Sequence, residues 1–290
     1  MALPPKPWPT GICEELQPAV RRVLAANPSP FTYTGTQTYL VGDEDGLAVI
    51  DPGPDLPEHV ERLVEAIGDA KVTAILCTHT HRDHSPATRP LAERTGAPII
   101  GCAALALETG VVRADAPFDA DYAPDRVLRD GEQLSGPGWK LTAVATPGHT
   151  SNHLCFALDG TGALFTGDHV MGWSTTVVAP PDGDMADYMR SLEKLRARKD
   201  TVYYPAHGPA VTEPRQLVRG MITHRRQRER QIMRILEAGS AGIESMVPQM
   251  YKGLDQRLWP AAGLSVHAHL IDMERRGMVE GCEGIWTRIG

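Results

Sequence analysis

Residues 79 to 84, His-Thr-His-Arg-Asp-His, pack three histidines and a carboxylate into one short segment, a density that no packed core requires. Imidazole nitrogens and carboxylate oxygens are the ligands of first-row divalent metals, and four such groups in one turn reach two ions more readily than one. The preceding run Val72-Thr73-Ala74-Ile75-Leu76-Cys77-Thr78 is short, apolar and β-branched. It reads as a buried strand whose C-terminal end delivers the ligands. Residues i and i+2 share a face in extended chain, so His79 and His81 suit one ion, while Asp83 and His84 point at a neighbouring one.

Such a loop supplies at most four ligands, so a two-metal site needs further His or Asp at other strand ends. Three segments provide them: Thr146-Pro147-Gly148-His149 after the strand-like Trp139 to Ala145, Thr166-Gly167-Asp168-His169 after Ala163-Leu164, and Pro205-Ala206-His207-Gly208 after Thr201 to Tyr203. Each joins a strand to a turn-forming residue and a ligand type. Strand-end loops are where α/β folds place their chemistry, and a glycine beside a ligand lets backbone approach without a Cβ clash.

With Asp51 in Val49-Ile50-Asp51-Pro52-Gly53, these motifs resemble the five of the metallo-β-lactamase superfamily, over roughly residues 30 to 210. The resemblance implies an α/β fold, an αββα sandwich with the site along one sheet edge. It implies that His79, His81 and His149 hold one metal and Asp83, His84 and His207 the other, with Asp168 bridging both. Asp51 would brace the histidine loop through hydrogen bonds rather than ligate. The β-lactam-cleaving branches lack the bridging Asp, so the resemblance points away from antibiotic hydrolysis and toward thioesters or phosphodiesters. The expected cofactors are two Zn2+, with Fe or Mn as alternatives for the same donors. Two ions about 3.5 to 4 Å apart lower the pKa of a bridging water to about 7, giving a hydroxide nucleophile. Asp83 could orient that nucleophile, and His153, four residues after His149, is the candidate proton donor to a leaving group.

The other histidines receive weaker roles. His59 falls on an expected surface helix, Leu56 to Ile67, as a solvated residue. His169 would point away from Asp168 and support the site from behind. His224, His267 and His269 are assigned no direct part. Trp173 lies in the long segment 171–181 leading to an expected helix from Met185 to Arg196, placed to form a substrate wall for a base or an acyl chain.

The 290 residues carry a net charge of -7, which does not suggest a dedicated nucleic-acid binder. Five scattered cysteines without a Cys-x-x-Cys pair fit reduced thiols in a cytoplasmic protein, and Cys77 and Cys155 read as buried. The N-terminus lacks the continuous apolar core of a signal peptide, and no run reaches the roughly 18 apolar residues of a membrane span. No heptad or long apolar stripe speaks to oligomeric state.

The segment His224-Arg225-Arg226-Gln227-Arg228-Glu229-Arg230 opens an expected helix running to Gly239. Beyond it lie helical patterns around Ile243 to Tyr251 and Leu264 to Arg276, then a hairpin of residues 278–280 and 285–287. The expected organisation is a hydrolase domain over residues 1–222 and a small winged-helix-like domain over 223–290. This arrangement is similar to the β-lactamase-like-protein-two group, and Gly35 to Gly42 fits that group's opening strand. The resemblance implies metal-dependent cleavage of single-stranded RNA, with hydrolysis of acyl thioesters or esters in relatives. A phosphodiester-cleaving hydrolase is therefore the first expectation and a thioester hydrolase the second. A nucleic-acid-binding or regulatory module with a vestigial site comes third, because every ligand position is filled.

Overall fold

Strands buried on both faces build the centre of the molecule, and the computed structural model describes residues 8–105 and 118–289. A seven-stranded sheet has the order β1 (Cys13–Gln17), β2 (Val20–Leu24), β3 (Gln37–Gly42), β4 (Leu47–Ile50), β5 (Val72–Cys77), β6 (Ile99–Gly101) and β7 (Arg126–Val127). Its first four strands are antiparallel, and β4 to β7 run parallel. The second sheet, in the order β12-β11-β10-β9-β8, comprises β8 (Gln133–Gly136), β9 (Trp139–Ala145), β10 (Leu154–Leu158), β11 (Ala163–Gly167) and β12 (Val202–Pro205).

The alternation along each strand shows how the layers stack. In β4, Ala48 and Ile50 face the other sheet and join Leu141, Phe156 and Phe165, while Leu47 and Val49 face outward onto Leu63, Ile67 and Leu91. Strand β10 does the same, with Phe156 inward and Cys155 outward. Helices cover both outer faces, so central strands such as β4 and β10 are apolar on both faces, and the result is the expected αββα sandwich. Fully burying each large aliphatic side chain contributes about 1.5–3 kcal/mol.

Helices α1 (Pro57–Ile67) and α2 (Thr88–Thr95) cover the first sheet; α3 (Met185–Ala197) and the first half of α4 (Pro214–Glu237) cover the second. Pro57 starts α1 and Gly68, at φ 61°, ends it. In α3 the Asp184 carboxylate caps the Asp187 N–H at 2.9 Å, worth about 1 kcal/mol.

The C-terminal unit contains α5 (Ile243–Met250), a 3-10 turn at Gln256–Leu258, α6 (Trp259–Arg275) and a small sheet of β13 (Ala241–Gly242), β15 (Ile285–Arg288) and β14 (Val279–Cys282). It has its own core of Val247, Val266, Leu270 and Trp286, to which α4 contributes Ile232 and Leu236. The hairpin and α5 lie where the sequence places them. Helix α4 begins ten residues before the expected His224, because Pro214 at its start is the stronger signal, and α6 begins at Trp259-Pro260 rather than Leu264. The two-residue strand β13 has too little pattern to be read from sequence.

One expectation about α1 is corrected. His59 is 4% exposed rather than solvated, and its Nε2 lies 3.1 Å from the Thr38 hydroxyl. It shares the buried face with Val60, Leu63 and Ile67, and burial lowers its pKa to about 4. Among the described residues no helix is long and apolar enough to cross a membrane.

Candidate metal centre

The C-terminal ends of β4, β5, β9, β11 and β12 open on one edge of the sandwich, and each is followed by one of the singled-out residues. Around them the chain adopts turns that few side chains tolerate. Asp51 itself has φ 49°, and Gly148 and Gly167 precede His149 and Asp168 at φ 135° and 48°. A Cβ on Gly167 would lie 2.6 Å from the Thr78 hydroxyl and 2.8 Å from His153 Nε2, so the approach of β11 to the histidine loop requires glycine.

Two clusters result. His79 Nε2 and His149 Nε2 lie 3.0 and 3.1 Å from His81 Nδ1. In the other, His207 Nε2 is 3.1 Å from Asp83 Oδ2 and 3.3 Å from Asp168 Oδ1, and His84 Nε2 is 3.4 and 3.6 Å from the same two oxygens. Asp168 turns its other oxygen, Oδ2, to 3.7 Å from His149 Nε2, so one carboxylate faces both clusters.

These donor sets fit metal ions. Ligand bonds of about 2.0–2.2 Å place neighbouring donors about 3 Å apart, as seen here. His84 Nε2, His207 Nε2 and Asp168 Oδ1 are buried and make no hydrogen bond, which a protein does not tolerate without another partner for them. The opposite ring nitrogens are held. His84 Nδ1 lies 3.1 Å from Asp51 Oδ2, His149 Nδ1 donates to the Val177 carbonyl at 2.7 Å, and His207 Nδ1 donates to the Gly35 carbonyl at 3.1 Å. His79 Nδ1 reaches the Thr78 hydroxyl, which donates to Asp51 Oδ2 at 2.8 Å. Each contact leaves an Nε2 lone pair aimed into the site. Asp51 also accepts the Thr78 N–H at 2.7 Å, and so braces the loop as expected.

Electrostatics separate the two halves. Burial holds the imidazoles of His79 and His81 neutral, the latter down to about 3, with the neighbouring histidines adding to the effect. Burial also opposes charge on His84 and His207, but Asp83 and Asp168 outweigh it. His207 rises to about 10, and His84 is held well above the ordinary imidazole range. Near neutral pH the second half thus carries protons that a metal must displace, because a histidine ligates only when neutral. Filling it is expected to release about two protons and to bind more tightly as pH rises, whereas His79 and His81 have none to release. Calorimetric titration with metal in two buffers of different protonation enthalpy measures this; equal, proton-free steps would contradict it.

His153 is placed differently from its expected role. It is 1% exposed, its Nδ1 lies 2.9 Å from the Thr146 hydroxyl, and its Nε2 accepts the Asp168 N–H at 3.2 Å. With both nitrogens engaged, the ring positions Asp168 instead of donating to a leaving group. His169 is fully buried against Tyr188, with ring centroids 4.7 Å apart, and touches no ligand atom through a hydrogen bond.

The loop after β11 supplies contacts the sequence did not reveal. The Thr176 hydroxyl donates to the Asp168 carbonyl at 2.6 Å, and the Thr176 carbonyl accepts from the buried Arg225 guanidinium, which also lies over the Tyr188 ring. Gln37 pins the other side, donating to the Pro205 and Gly208 carbonyls that flank His207. Most of these partners are backbone carbonyls, which carry no residue-type signature. The Trp173 side chain is part of the same loop and stacks on Tyr33 at 5.0 Å.

Comparison with known proteins agrees with this geometry. The metallo-beta-lactamase superfamily model matches residues 32–207, and the beta-lactamase associated winged helix domain matches residues 243–286. The chain is 32% identical over 272 residues to the beta-lactamase-like protein 2 homolog of Drosophila melanogaster, covering 90% of each. It is 29% identical over 245 residues to an atrochrysone carboxyl ACP thioesterase of Cryptosporiopsis sp., covering 83% of this chain and 70% of the relative. In fold it resembles a beta-lactamase domain protein from Burkholderia ambifaria, with a TM-score of 0.80, 22% identity, and coverage of 97% of this chain and 94% of that one.

Proposed function

Because the chain belongs to the metallo-beta-lactamase superfamily and is one of its hydrolases, we propose that it opens thioesters and related activated acyl esters at a dinuclear centre. The ligands are His79, His81 and His149 on one side and Asp83, His84 and His207 on the other, with Asp168 between them. Two divalent ions held there, zinc first and iron or manganese as alternatives, would supply an activated nucleophilic oxygen near neutral pH and positive charge against the substrate carbonyl.

The protein's own part is orientation and proton handling. Asp83 offers one oxygen to His84 and His207, and its second oxygen is left to accept a hydrogen bond from the attacking oxygen and orient it. His153 fixes Asp168 through the backbone N–H, and Val177 fixes His149. A thiol leaving group, with a pKa of about 8.5, departs as thiolate without a strong acid. An RNA alkoxide, with a basicity close to that of hydroxide at about 16, needs far more help.

The observation that carries the acyl reading is the direction of the arginines in 224–230. Arg225 is buried, Arg226 pairs with Glu193 at 3.2 Å, and Arg228 donates to the Met250 carbonyl and lies over the Tyr251 ring. Three of the four arginines that would neutralise an RNA backbone are therefore turned inward or paired, and Arg230 is left exposed. The thioesterase relative supports the same reading. We place the hydrolase domain at 1–222 and the winged helix unit at 223–290, and the free cysteines support a reducing, cytoplasmic setting.

The test is turnover of an acyl-pantetheine thioester beside single-stranded RNA and a β-lactam by the zinc-loaded protein. A thioester kcat/KM of about 10⁴ M⁻¹s⁻¹ or more is expected, with the other two unchanged. Metal-dependent cutting of RNA with no thioester turnover would replace this reading with a nuclease.

A further inference from the structure

Behind the 171–177 loop, where α4 and α6 pack against it, lies a cavity of about 340 Å³. Its walls are apolar and aromatic, from Phe31, Trp173, Tyr251 and Leu258, and into it project Arg225 and Arg228. Among the described residues lining it none is acidic, and neither arginine has a carboxylate partner. Arg225 is 3% exposed, and Arg228 Nε is buried without a hydrogen bond.

This is an unusual place for two cations. They sit three residues apart on α4, where like charges repel, and a buried charge is normally paired. Their field is felt nearby: burial and then the two arginines push His224 down to about 4, and burial with Arg225 holds His269 well below the ordinary range. His224 Nδ1 and His269 Nε2 are themselves buried and without hydrogen-bond partners. The cavity thus offers positive potential, unfilled donors and aromatic walls in an otherwise acidic chain.

We propose that this cavity is a binding site for a small organic anion, a carboxylate or phosphate monoester on an aromatic or aliphatic body. The acid group faces Arg228 and Arg225, and the body lies between Trp173 and Tyr251. At 340 Å³ the space takes a small molecule or one end of a larger one and excludes a nucleic-acid strand. Successive carbonyls link it to the metal centre, since that of Thr176 takes Arg225 and that of Val177 takes His149 Nδ1. An occupant is therefore felt at a ligand. The anion has two sources, a separate small molecule or the distal acid group of the substrate. The second source rests on the acyl reading; the site itself does not.

The experiment is calorimetric binding of 2-naphthoate, 2-naphthyl phosphate and neutral 2-naphthamide to the zinc-loaded protein, to Arg228→Gln, and to Ala261→Leu, which fills the cavity. Both acids are expected to bind about tenfold more tightly than the amide, and the arginine variant to lose about that factor. Ala261→Leu should weaken all three, and it keeps the test informative if Arg228→Gln folds poorly. Equal binding of acid and amide, no binding at millimolar concentration, or acid binding unchanged in both variants because it occurs on the metals would each overturn the proposal. Competitive inhibition of thioester turnover by 2-naphthoate identifies the substrate's own acid as the source, and a change in kcat without competition identifies a separate effector. Preserved anion preference in a protein without thioester turnover would sink the acyl reading and leave this site standing.

Discussion

Replacing Asp168 by alanine is expected to lower kcat/KM by about 10³-fold or more while the protein remains folded. The carboxylate faces both clusters, 3.3 Å from His207 and 3.7 Å from His149, so its loss would remove the ligand we propose the two halves share. Folding is spared because the anchors of residue 168 are its backbone N–H to His153 and its carbonyl from Thr176, which alanine keeps. Turnover, bound metal by elemental analysis and thermal unfolding should be measured together. Activity within about tenfold of wild type would remove Asp168 from the centre.

The second large effect lies one residue before His149, a proposed ligand. A Cβ on Gly148 would stand 2.3 Å from both Cα and N of Tyr188, and φ there is 135°. Both obstacles are backbone, so Gly148→Ala must push α3 away from the sheet or distort the turn that presents His149. A loss of about 3 kcal/mol or more is expected, lowering Tm by roughly 5–10 °C, together with weakened metal binding. Gly160→Ala is the control, because φ is 77° there but nothing lies within 4 Å. Its expected loss is about 1 kcal/mol, from backbone strain alone. Equal shifts in the two variants would show that the contact with α3 is not decisive.

Much of this site was legible because metal chemistry demands particular side chains, and those stand out beside short β-branched runs. His79, His81, Asp83, His84, His149, Asp168 and His207 are gathered by the fold at one edge, in two groups. The sandwich was legible for a related reason: strands such as β4 and β10, covered on both faces, read as continuous apolar runs. What the sequence hid depends on partners rather than residue types. His153 looked like a free acid because nothing in the chain shows that Thr146 and the Asp168 N–H occupy both its nitrogens. His59 looked solvated because its burial depends on Thr38 from another strand. Arg225 and Arg228 stand in a run of like charges that says nothing of direction, and only the packing of α4 turns them inward.

Helix α4 has a consequence for the modularity of the chain. Val218, Met221 and Ile222 belong to the core of the sandwich, while Ile232 and Leu236 belong to the C-terminal core, with no break between them. One rigid rod is thus built into two cores. Fraying at one end would withdraw side chains from one core and disturb the helix that serves the other, so the two units are expected to unfold together. The C-terminal unit is therefore tied to the sandwich through a helix whose side chains both cores use.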